Sequence, residues 1–233
     1  MIPGSGYYDA EAPAYDETRG GTARAASATT AIGRLVTGPP GTALDVAGGT
    51  GIVSAALAGR GWSVLVTDAS MGMLRIARER LPRRVVAADA TRLPVRDDCV
   101  DLVTAVWLLH LLAIPGADAV VAEARRVLRP GGWFVTTVDK DLAQGRVRRT
   151  NGDHRDRLEQ VARRLGLTPA GSTYFAAETK GGAGIARFPV AAFRKPQGEV
   201  AMSGGTSSSR STRCTTRSMA RPAASDSSSG QAG

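Results

Sequence analysis

The chain has 233 residues, of which 42% are hydrophobic, and a formal charge of +9. This length and composition predict one globular domain with a full core and argue against a disordered protein. The positive residues are mostly arginine, and few aromatic residues lie among them, which favours a solvated basic surface over a nucleic-acid-binding face. The longest apolar run, 100–114, contains Asp101 and His110 and is too short for a transmembrane helix, so we expect a cytoplasmic protein.

Residues 1–36 are predicted to form an N-terminal lid and helical segment. Positions 7–21 are polar and aromatic and show no strong period. Apolar residues then recur at helical spacing, which predicts a helix over 22–36. The sequence Gly-Pro-Pro-Gly at 38–41 ends this helix.

Strands and helices alternate along the next hundred residues. Ser70 caps one of the helices, and an Arg-Pro-Gly-Gly turn at 129–132 separates the last helix from the last strand. Repeated βα units of this kind imply a parallel sheet with right-handed crossovers. The predicted strands are 43–46, 62–67, 85–88, 100–106 and 133–138, and the predicted helices are 52–58, 71–80 and 117–128.

Two further strands are predicted after a helix at 157–165. They cover 167–175 and 188–193 and are joined by a glycine-rich turn at 178–185. Strands joined this tightly must be antiparallel, because a parallel pair needs a longer crossover. We therefore predict an α/β, Rossmann-like fold: a seven-stranded, mostly parallel sheet with helices on both faces and an antiparallel terminal hairpin.

The domain boundaries follow from these elements and from composition. The α/β domain is predicted to span 37–196. From 197 to 233 the chain is rich in Ser, Gly, Thr, Ala and Arg and nearly lacks large apolar residues, so it cannot bury enough surface to order itself. We expect a disordered tail there.

A glycine-rich loop, Asp45-Val46-Ala47-Gly48-Gly49-Thr50-Gly51, links the first strand of the alternation to its first helix. Glycine permits positive φ and close approach of a ligand, and the helix start offers unpaired N–H groups. A dinucleotide-binding fingerprint fits Gly49-x-Gly51-x-x-Ser54 only loosely, because serine stands at its third glycine.

Three aspartates follow three successive predicted strands: Asp45, Asp68 and Asp89. Ligands of open α/β sheets bind at the edge formed by the carboxyl ends of the strands. A single aspartate in such a loop is equally well explained by a structural role, but three together favour a binding site.

Three more motifs complete the pattern, and they are Val66–Arg78, Ala88–Val103 and Glu123–Gly132. With them, residues 43–138 resemble a class I S-adenosylmethionine-dependent methyltransferase, in particular the type 11, small-molecule group that includes the ubiquinone/menaquinone biosynthesis methyltransferases. The Arg-Pro-Gly-Gly turn and the Asp-Ala-x-x-Leu-Pro run at 89–94 have no counterpart in the dinucleotide pattern.

The resemblance implies that the glycine loop binds the methionine end of S-adenosylmethionine. Asp45 would orient the cofactor's amine, directly or through water, and Gly49 and Gly51 would let the backbone approach the ligand. Ala47 stands where the family has a glycine, and its methyl group is tolerable if its φ is negative.

The resemblance also implies how the nucleoside would be held. Asp68 would accept hydrogen bonds from both ribose hydroxyls, as a carboxylate can. Asp89 would accept from the adenine amine, and Ala90 would donate its N–H to a ring nitrogen. Ala69 and Met73 would wall the adenine.

The remaining site predictions concern the lid and the methyl acceptor. Tyr15 and Arg19 would close over the cofactor from the N-terminal segment. Trp107 would line the acceptor pocket, and His110 is the candidate general base, although a buried structural histidine is the simpler interpretation.

The function these residues imply is methyl transfer from S-adenosylmethionine to a small-molecule acceptor, with no metal, no membrane and no nucleic-acid substrate. Two alternatives stay open at this point. One is an NAD(P)-dependent oxidoreductase, which the loose glycine fingerprint allows. The other is a non-catalytic S-adenosylmethionine-binding protein, to which the alanine at position 47 points.

Overall fold

The computed structural model describes residues 5–147, 152–179 and 184–198. Its helices are α1 (Ser5–Glu11), α2 (Gly21–Leu35), α3 (Ile52–Ala58), α4 (Met71–Arg80), α5 (Ile114–Val127), α6 (Lys140–Ala143) and α7 (Arg155–Arg164). Its strands are β1 (Thr42–Val46), β2 (Ser63–Asp68), β3 (Val85–Ala87), β4 (Val100–Ala105), β5 (Leu128–Thr137), β6 (Thr168–Glu178) and β7 (Ile185–Arg194). Short 3-10 helices cover Ala12–Ala14, Glu17–Arg19 and Leu109–Leu111.

These strands form a seven-stranded sheet in the order β3-β2-β1-β4-β5-β7-β6. Strands β1 to β5 run parallel, and β7 pairs antiparallel with both β5 and β6. The predicted Rossmann-like sheet with an antiparallel terminal hairpin is confirmed. Because β2 and β4 flank β1, the strand order reverses there, and the carboxyl ends of these strands open a crevice.

Helices cover both faces of the sheet, as the buried side chains of β1 and β5 show. Leu44 and Phe134 belong to the core shared with α5 and α7, whereas Ala43 and Val135 belong to the core shared with α2 and α3. Successive side chains of a strand point to opposite faces, so the two cores lie on the two sides of the sheet. Burial on both sides explains why neighbouring residues of these strands, such as Ala43 with Leu44 and Phe134 with Val135, are apolar.

The predicted turn at 129–132 lies inside β5, which is a correction to the prediction. The β4–β5 register passes from Val100 opposite Leu128 to Leu102 opposite Trp133, so the four residues between them form an irregularity in one strand. The backbone there still pairs with Lys195 beyond β7, whose carbonyl accepts from Gly131 at 2.8 Å. This tertiary pairing keeps the Arg-Pro-Gly-Gly sequence in the sheet.

The N-terminal segment is more ordered than its lack of period predicted. Helix α1 and two 3-10 helices are held by polar contacts with distant elements. The Asp9 carboxylate accepts from Ser70 Oγ at 2.6 Å and from the Gly72 backbone N–H at 2.7 Å, at the start of α4. Asp16 accepts from Thr50 Oγ1 at 2.6 Å and pairs with Arg80 at 2.7 Å. Single polar side chains of this kind leave no periodic pattern in a sequence.

The predicted division into segments stays a prediction. Helix α2, which was predicted with the N-terminal segment, packs on α3 and on the terminal hairpin, and its Ala28 and Ile32 are fully buried in the core. Of the predicted tail, 199–233 lies outside the described residues, as does 180–183 in the turn of the hairpin.

Replacing Asp9 by alanine is expected to loosen the N-terminal segment from α4, because both hydrogen bonds across this contact end on its carboxylate. Amide hydrogen exchange measured by mass spectrometry should become faster over 5–19 and stay unchanged over the central strands. Asp156→Ala, at an exposed position in the first turn of α7, is the matched control. Unchanged exchange over 5–19 in the Asp9 variant would show that other contacts hold the segment.

Candidate active site

A cavity of about 210 Å³ opens at the carboxyl edge of β1, β2 and β4. It brings together most of the predicted site residues, and those that line it are Tyr15, Ala47, Gly49, Asp68, Ala69, Met73, Asp89, Ala90 and Trp107. Asp45, Gly51, Arg19 and His110 lie outside this lining. The segments that were predicted to bind one ligand therefore converge on one cleft.

A larger groove of about 950 Å³ lies next to it, between the loop after β3 and α5. Three of its charged side chains satisfy one another, since Arg126 pairs with Glu123 at 2.6 Å and with Asp97 at 2.7 Å. We therefore assign the site to the smaller cleft, where the predicted residues meet.

The glycine loop passes under the cleft in left-handed backbone conformations. Gly49 has φ +59° and Gly51 has φ +73°. Ala47 has φ +53°, so the negative φ that would make its methyl group easily tolerated is not present. The left-handed conformation of an alanine costs about 1 kcal/mol of folding free energy, so the surrounding contacts must stabilise it. A Cβ at Gly51 would lie 3.1 Å from the Ala77 side chain, so this glycine serves the packing of the loop on α4.

Asp45 lies beneath the loop and not in the cleft. Its side chain is 2% exposed and accepts hydrogen bonds from the hydroxyls of Ser54 and, at 2.7 Å, Thr104. Burial raises the pKa of Asp45 to about 6, against the effect of these two hydrogen bonds. Its predicted contact with a cofactor amine stays a prediction, and the structure shows a buried carboxylate that supports the loop.

Asp68 and Asp89 both face the cleft, in different environments. Asp68 accepts the N–H groups of Gly49 at 2.9 Å and Ser70 at 2.8 Å, and burial raises its pKa although these hydrogen bonds oppose the shift. Asp89 is exposed two residues after β3 and accepts the Thr91 N–H and hydroxyl, each at 2.8 Å. Both side chains retain lone pairs that can accept from hydroxyl or amine groups of a ligand.

The N-terminal segment contributes two tyrosines to the cleft. Tyr15 was predicted, and burial raises the pKa of its hydroxyl. Tyr8 was missed, because an aromatic residue in a stretch without periodicity carries no positional signal; burial raises its pKa to about 12. Arg19 lies behind Tyr15, 4.0 Å from the centre of its ring, and pairs with Glu11 at 2.6 Å.

Trp107 forms the wall on the β4 side. Its backbone is left-handed, with φ +60°, and its N–H donates to Thr137 Oγ1 at 2.8 Å. The Arg24 guanidinium lies 3.5 Å from the centre of its ring, and the ring of Phe175 packs against it edge-on. Sequence analysis missed Arg24, since nothing local distinguishes it from the other arginines of the chain.

His110 is buried beside Lys140 and not in the lining of the cleft. It is 6% exposed, and its Nε2 lies 2.5 Å from Lys140 Nζ. Burial lowers the pKa of Lys140 to about 7, and the positive charges of Arg24 and Arg19 lower it further. The position of Lys140 directly after β5, at the carboxyl edge of the sheet, is a signal that could have identified it.

The described part of the chain contains no cluster of three or more His, Cys, Asp or Glu side chains suited to a metal ion. Within the same residues, no helix combines the length and the apolar character that crossing a membrane requires.

The fold, the glycine loop and the acids of the cleft together define the class of protein. A family model described as a methyltransferase domain matches residues 44–136, which cover the glycine loop, both cleft aspartates and β5. The resemblance noted in the sequence is confirmed for this stretch, which matches a methyltransferase domain.

Among curated proteins, the chain is 45% identical over 104 residues to a ubiquinone/menaquinone biosynthesis C-methyltransferase of Acidiphilium cryptum, covering 41% of each chain. It is 35% identical over 135 residues to a demethylmenaquinone methyltransferase of Renibacterium salmoninarum, covering 57% of this chain and 56% of that one. The chain thus spans about two fifths to just over half the length of these relatives.

Solved structures share the fold at low sequence identity. An S-adenosylmethionine-dependent methyltransferase of Methanosarcina mazei has a TM-score of 0.59 at 16% identity, over 72% of this chain and 97% of that one. The CcbJ methyltransferase of Streptomyces caelestis has a TM-score of 0.59 at 20% identity, over 82% of this chain and 98% of that one.

Replacing Asp45 by asparagine is expected to remove a pH dependence of stability. The pKa rises from 3.8 to about 6 on folding, so the folded protein binds this proton more tightly than the unfolded chain. Its contribution to stability is therefore complete below pH 3.8 and is lost as the pH rises through 6. When the pH rises from 4.5 to 7.5, the free energy of unfolding of the wild type should fall by about 2 kcal/mol relative to that of Asp45→Asn.

Urea denaturation at the two pH values measures this difference. The exposed Asp156→Asn is the control and should follow the wild type. If the difference in unfolding free energy between the wild type and Asp45→Asn does not change with pH, Asp45 has the same pKa in the folded and unfolded chains.

Proposed function

We propose that the protein transfers a methyl group from S-adenosylmethionine to a small-molecule acceptor. The observation that carries this proposal is the position of Asp68, whose carboxylate lies in the cleft at the end of β2 and is tied to Gly49 of the glycine loop. Neither the matched family model nor the curated relatives favour an NAD(P)-dependent oxidoreductase or a non-catalytic binding protein.

The groups around the cleft fit the proposed cofactor. The carboxylates of the cleft can accept hydrogen bonds from the hydroxyls of a sugar and the amine of a base. The apolar surface of Met73 and Ala69 suits a flat ring. In the proposed arrangement, Asp68 holds the ribose, and Asp89 and Ala90 hold the adenine. Gly49 lets the backbone approach the ligand.

When bound, S-adenosylmethionine supplies a methyl group on a sulfonium that is already activated for in-line displacement. The chain's own task is to hold a nucleophile in line and to exclude water. Tyr8 and Tyr15 cover the cleft from the N-terminal segment, and Trp107 walls it on the β4 side. These three rings are suited to the exclusion of water.

The acceptor is proposed to be a small organic molecule. Both curated relatives carry names of quinone-pathway methyltransferases, which act on molecules of this kind. The wall formed by Leu108, Leu111, Leu112 and Trp107 is apolar and fits an apolar or aromatic body. A cytoplasmic location, the absence of a metal and the absence of a nucleic-acid substrate stay predictions.

Calorimetry with S-adenosylhomocysteine, NAD and NADP tests the cofactor. We expect S-adenosylhomocysteine alone to bind, and Asp68→Asn to weaken its binding by about 10- to 100-fold, because hydrogen bonds to a charged carboxylate contribute about 1.5–3 kcal/mol. The circular dichroism of the variant should match that of the wild type.

Asp156→Asn, exposed on α7, controls for the loss of one negative charge and should keep full affinity. Binding of NAD in place of S-adenosylhomocysteine would refute the proposal. Equal affinity of the wild type and Asp68→Asn would remove Asp68 from the cofactor site.

A further inference from the structure

The two ends of the cleft differ in charge. At the β2–β3 end lie the carboxylates of Asp68 and Asp89. Beside the β4–β5 end, outside its lining, are two cationic side chains: Arg24 lies against the ring of Trp107, and Lys140 is close enough to Arg24 for that charge to lower its pKa. Since the proposed cofactor occupies the β2–β3 end, the charges at the other end are available to the methyl acceptor.

Lys140 and His110 come from the loops after two neighbouring strands. Lys140 begins α6 three residues after β5 ends, and His110 lies in the 3-10 helix after β4, beside the cleft residue Leu111. Lys140 Nζ lies 2.5 Å from His110 Nε2, within hydrogen-bond distance. Such a pair can take up or release a proton near neutral pH.

Arg24 is a second cation beside this end of the cleft. Burial lowers its pKa to about 10. Its Nη1 donates to the Arg19 carbonyl at 3.2 Å, while its Nε is buried without a hydrogen-bond partner among the described residues. Arg19 Nη1 is likewise buried without a hydrogen-bond partner among the described residues. Buried guanidinium nitrogens left without an acceptor are costly, and an anion bound beside them would offset this cost.

The field around Lys140 is mostly positive. Its pKa is lowered first by burial and then by nearby cations, and the carboxylate of Asp153 opposes this shift. The cations are Arg24 from α2, Arg19 from the segment before it and Arg146 from the loop after α6, and the carboxylate is that of Asp153 before α7. A group of cations beside a cleft, with two guanidinium nitrogens left without an acceptor, is suited to binding negative charge.

We propose that the β4–β5 end of the cleft is a subsite for an acidic acceptor, which Arg24 and the Lys140–His110 pair hold as its oxyanion. This inference rests on the proposed methyl transfer. The acceptor is an organic acid with an apolar or aromatic body, either a carboxylic acid or an acidic hydroxyl compound.

The proton balance of the subsite follows from the pair. When an acceptor enters as the neutral acid, its O–H bond breaks, an N–H bond forms on the pair, and the electron pair stays on the acceptor oxygen. When it enters as the anion, the pair takes its proton from water. After methyl transfer the neutral product no longer stabilises the charged pair, and the proton returns to water.

A titration of the lysines in the full-length protein, without cofactor, tests the subsite. The chain has three lysines, Lys140, Lys180 and Lys195, so ¹⁵N-lysine labelling yields few signals, and Lys140→Met assigns the relevant one. We expect Lys140 to titrate near pH 7 and benzoate to raise its midpoint by about one pH unit, because a nearby anion stabilises the ammonium form. Benzamide, which has the same shape without the charge, should leave the midpoint unchanged.

A second probe separates the two kinds of acid. Bound 4-nitrophenol reports its own ionisation by its visible absorbance. A shift of the Lys140 midpoint with benzoate alone identifies a carboxylate subsite. A shift with 4-nitrophenol alone identifies a subsite for ionised hydroxyls. Either result supports the proposal. It is overturned if neither probe shifts the Lys140 midpoint, if benzamide acts as strongly as benzoate, or if Lys140 titrates at its ordinary pKa.

Variants on α2 supply the matched control. Arg24→Gln is expected to lower the affinity for the probe that responds by about tenfold, because one charged contact is lost. Arg34→Gln, at an exposed position of the same helix, should bind this probe as the wild type does. Equal binding by the two variants would remove Arg24 from the subsite. Calorimetry with S-adenosylhomocysteine reports the proposed function separately, so a protein that binds it but fails the titration refutes only the acidic acceptor.

Discussion

The buried carboxylate of Asp45 is the interaction on which the site depends. It lies in β1 and accepts hydroxyl hydrogen bonds from Ser54 of α3 and Thr104 of β4, so three elements meet at one side chain. A Cβ at Gly48 would lie 2.9 Å from this carboxylate, which leaves glycine as the residue that fits the loop above it. The path of the loop toward the cleft is therefore set from beneath, by the core, before any ligand binds.

Desolvation shifts the pKa values of the carboxylates and of the cations around the cleft in opposite directions. It raises the pKa of Asp45 and Asp68 near β1 and β2, and it lowers the pKa of Lys140 and Arg24 near β4 and β5. In each case the charged form is the one that burial disfavours. The cleft is thus suited to a cationic cofactor and an acidic acceptor, each of which would compensate the charge at its own end.

The N-terminal segment joins these two ends. Asp9 anchors it to α4 on the β2 side, and Arg24 at its far end lies on Trp107 on the β4 side. Tyr8 and Tyr15 of the same segment line the cleft. A single segment that spans both ends can couple closure over the cofactor to placement of the acceptor.

The sequence by itself determined the order of strands and helices, the antiparallel closing pair and the residues at the carboxyl ends of the strands. It could do so because apolar periodicity and glycine-rich turns are local signals. Asp68, Asp89 and Trp107 were identifiable on this basis, since each directly follows or ends a strand. Only the tertiary structure decided that Asp45 lies beneath the loop, that Ala47 is left-handed, and that Arg24 and Lys140 come near each other. Those properties depend on contacts between residues far apart in the chain, such as Asp45 with Thr104 and Arg24 with Trp107, and no local pattern records them.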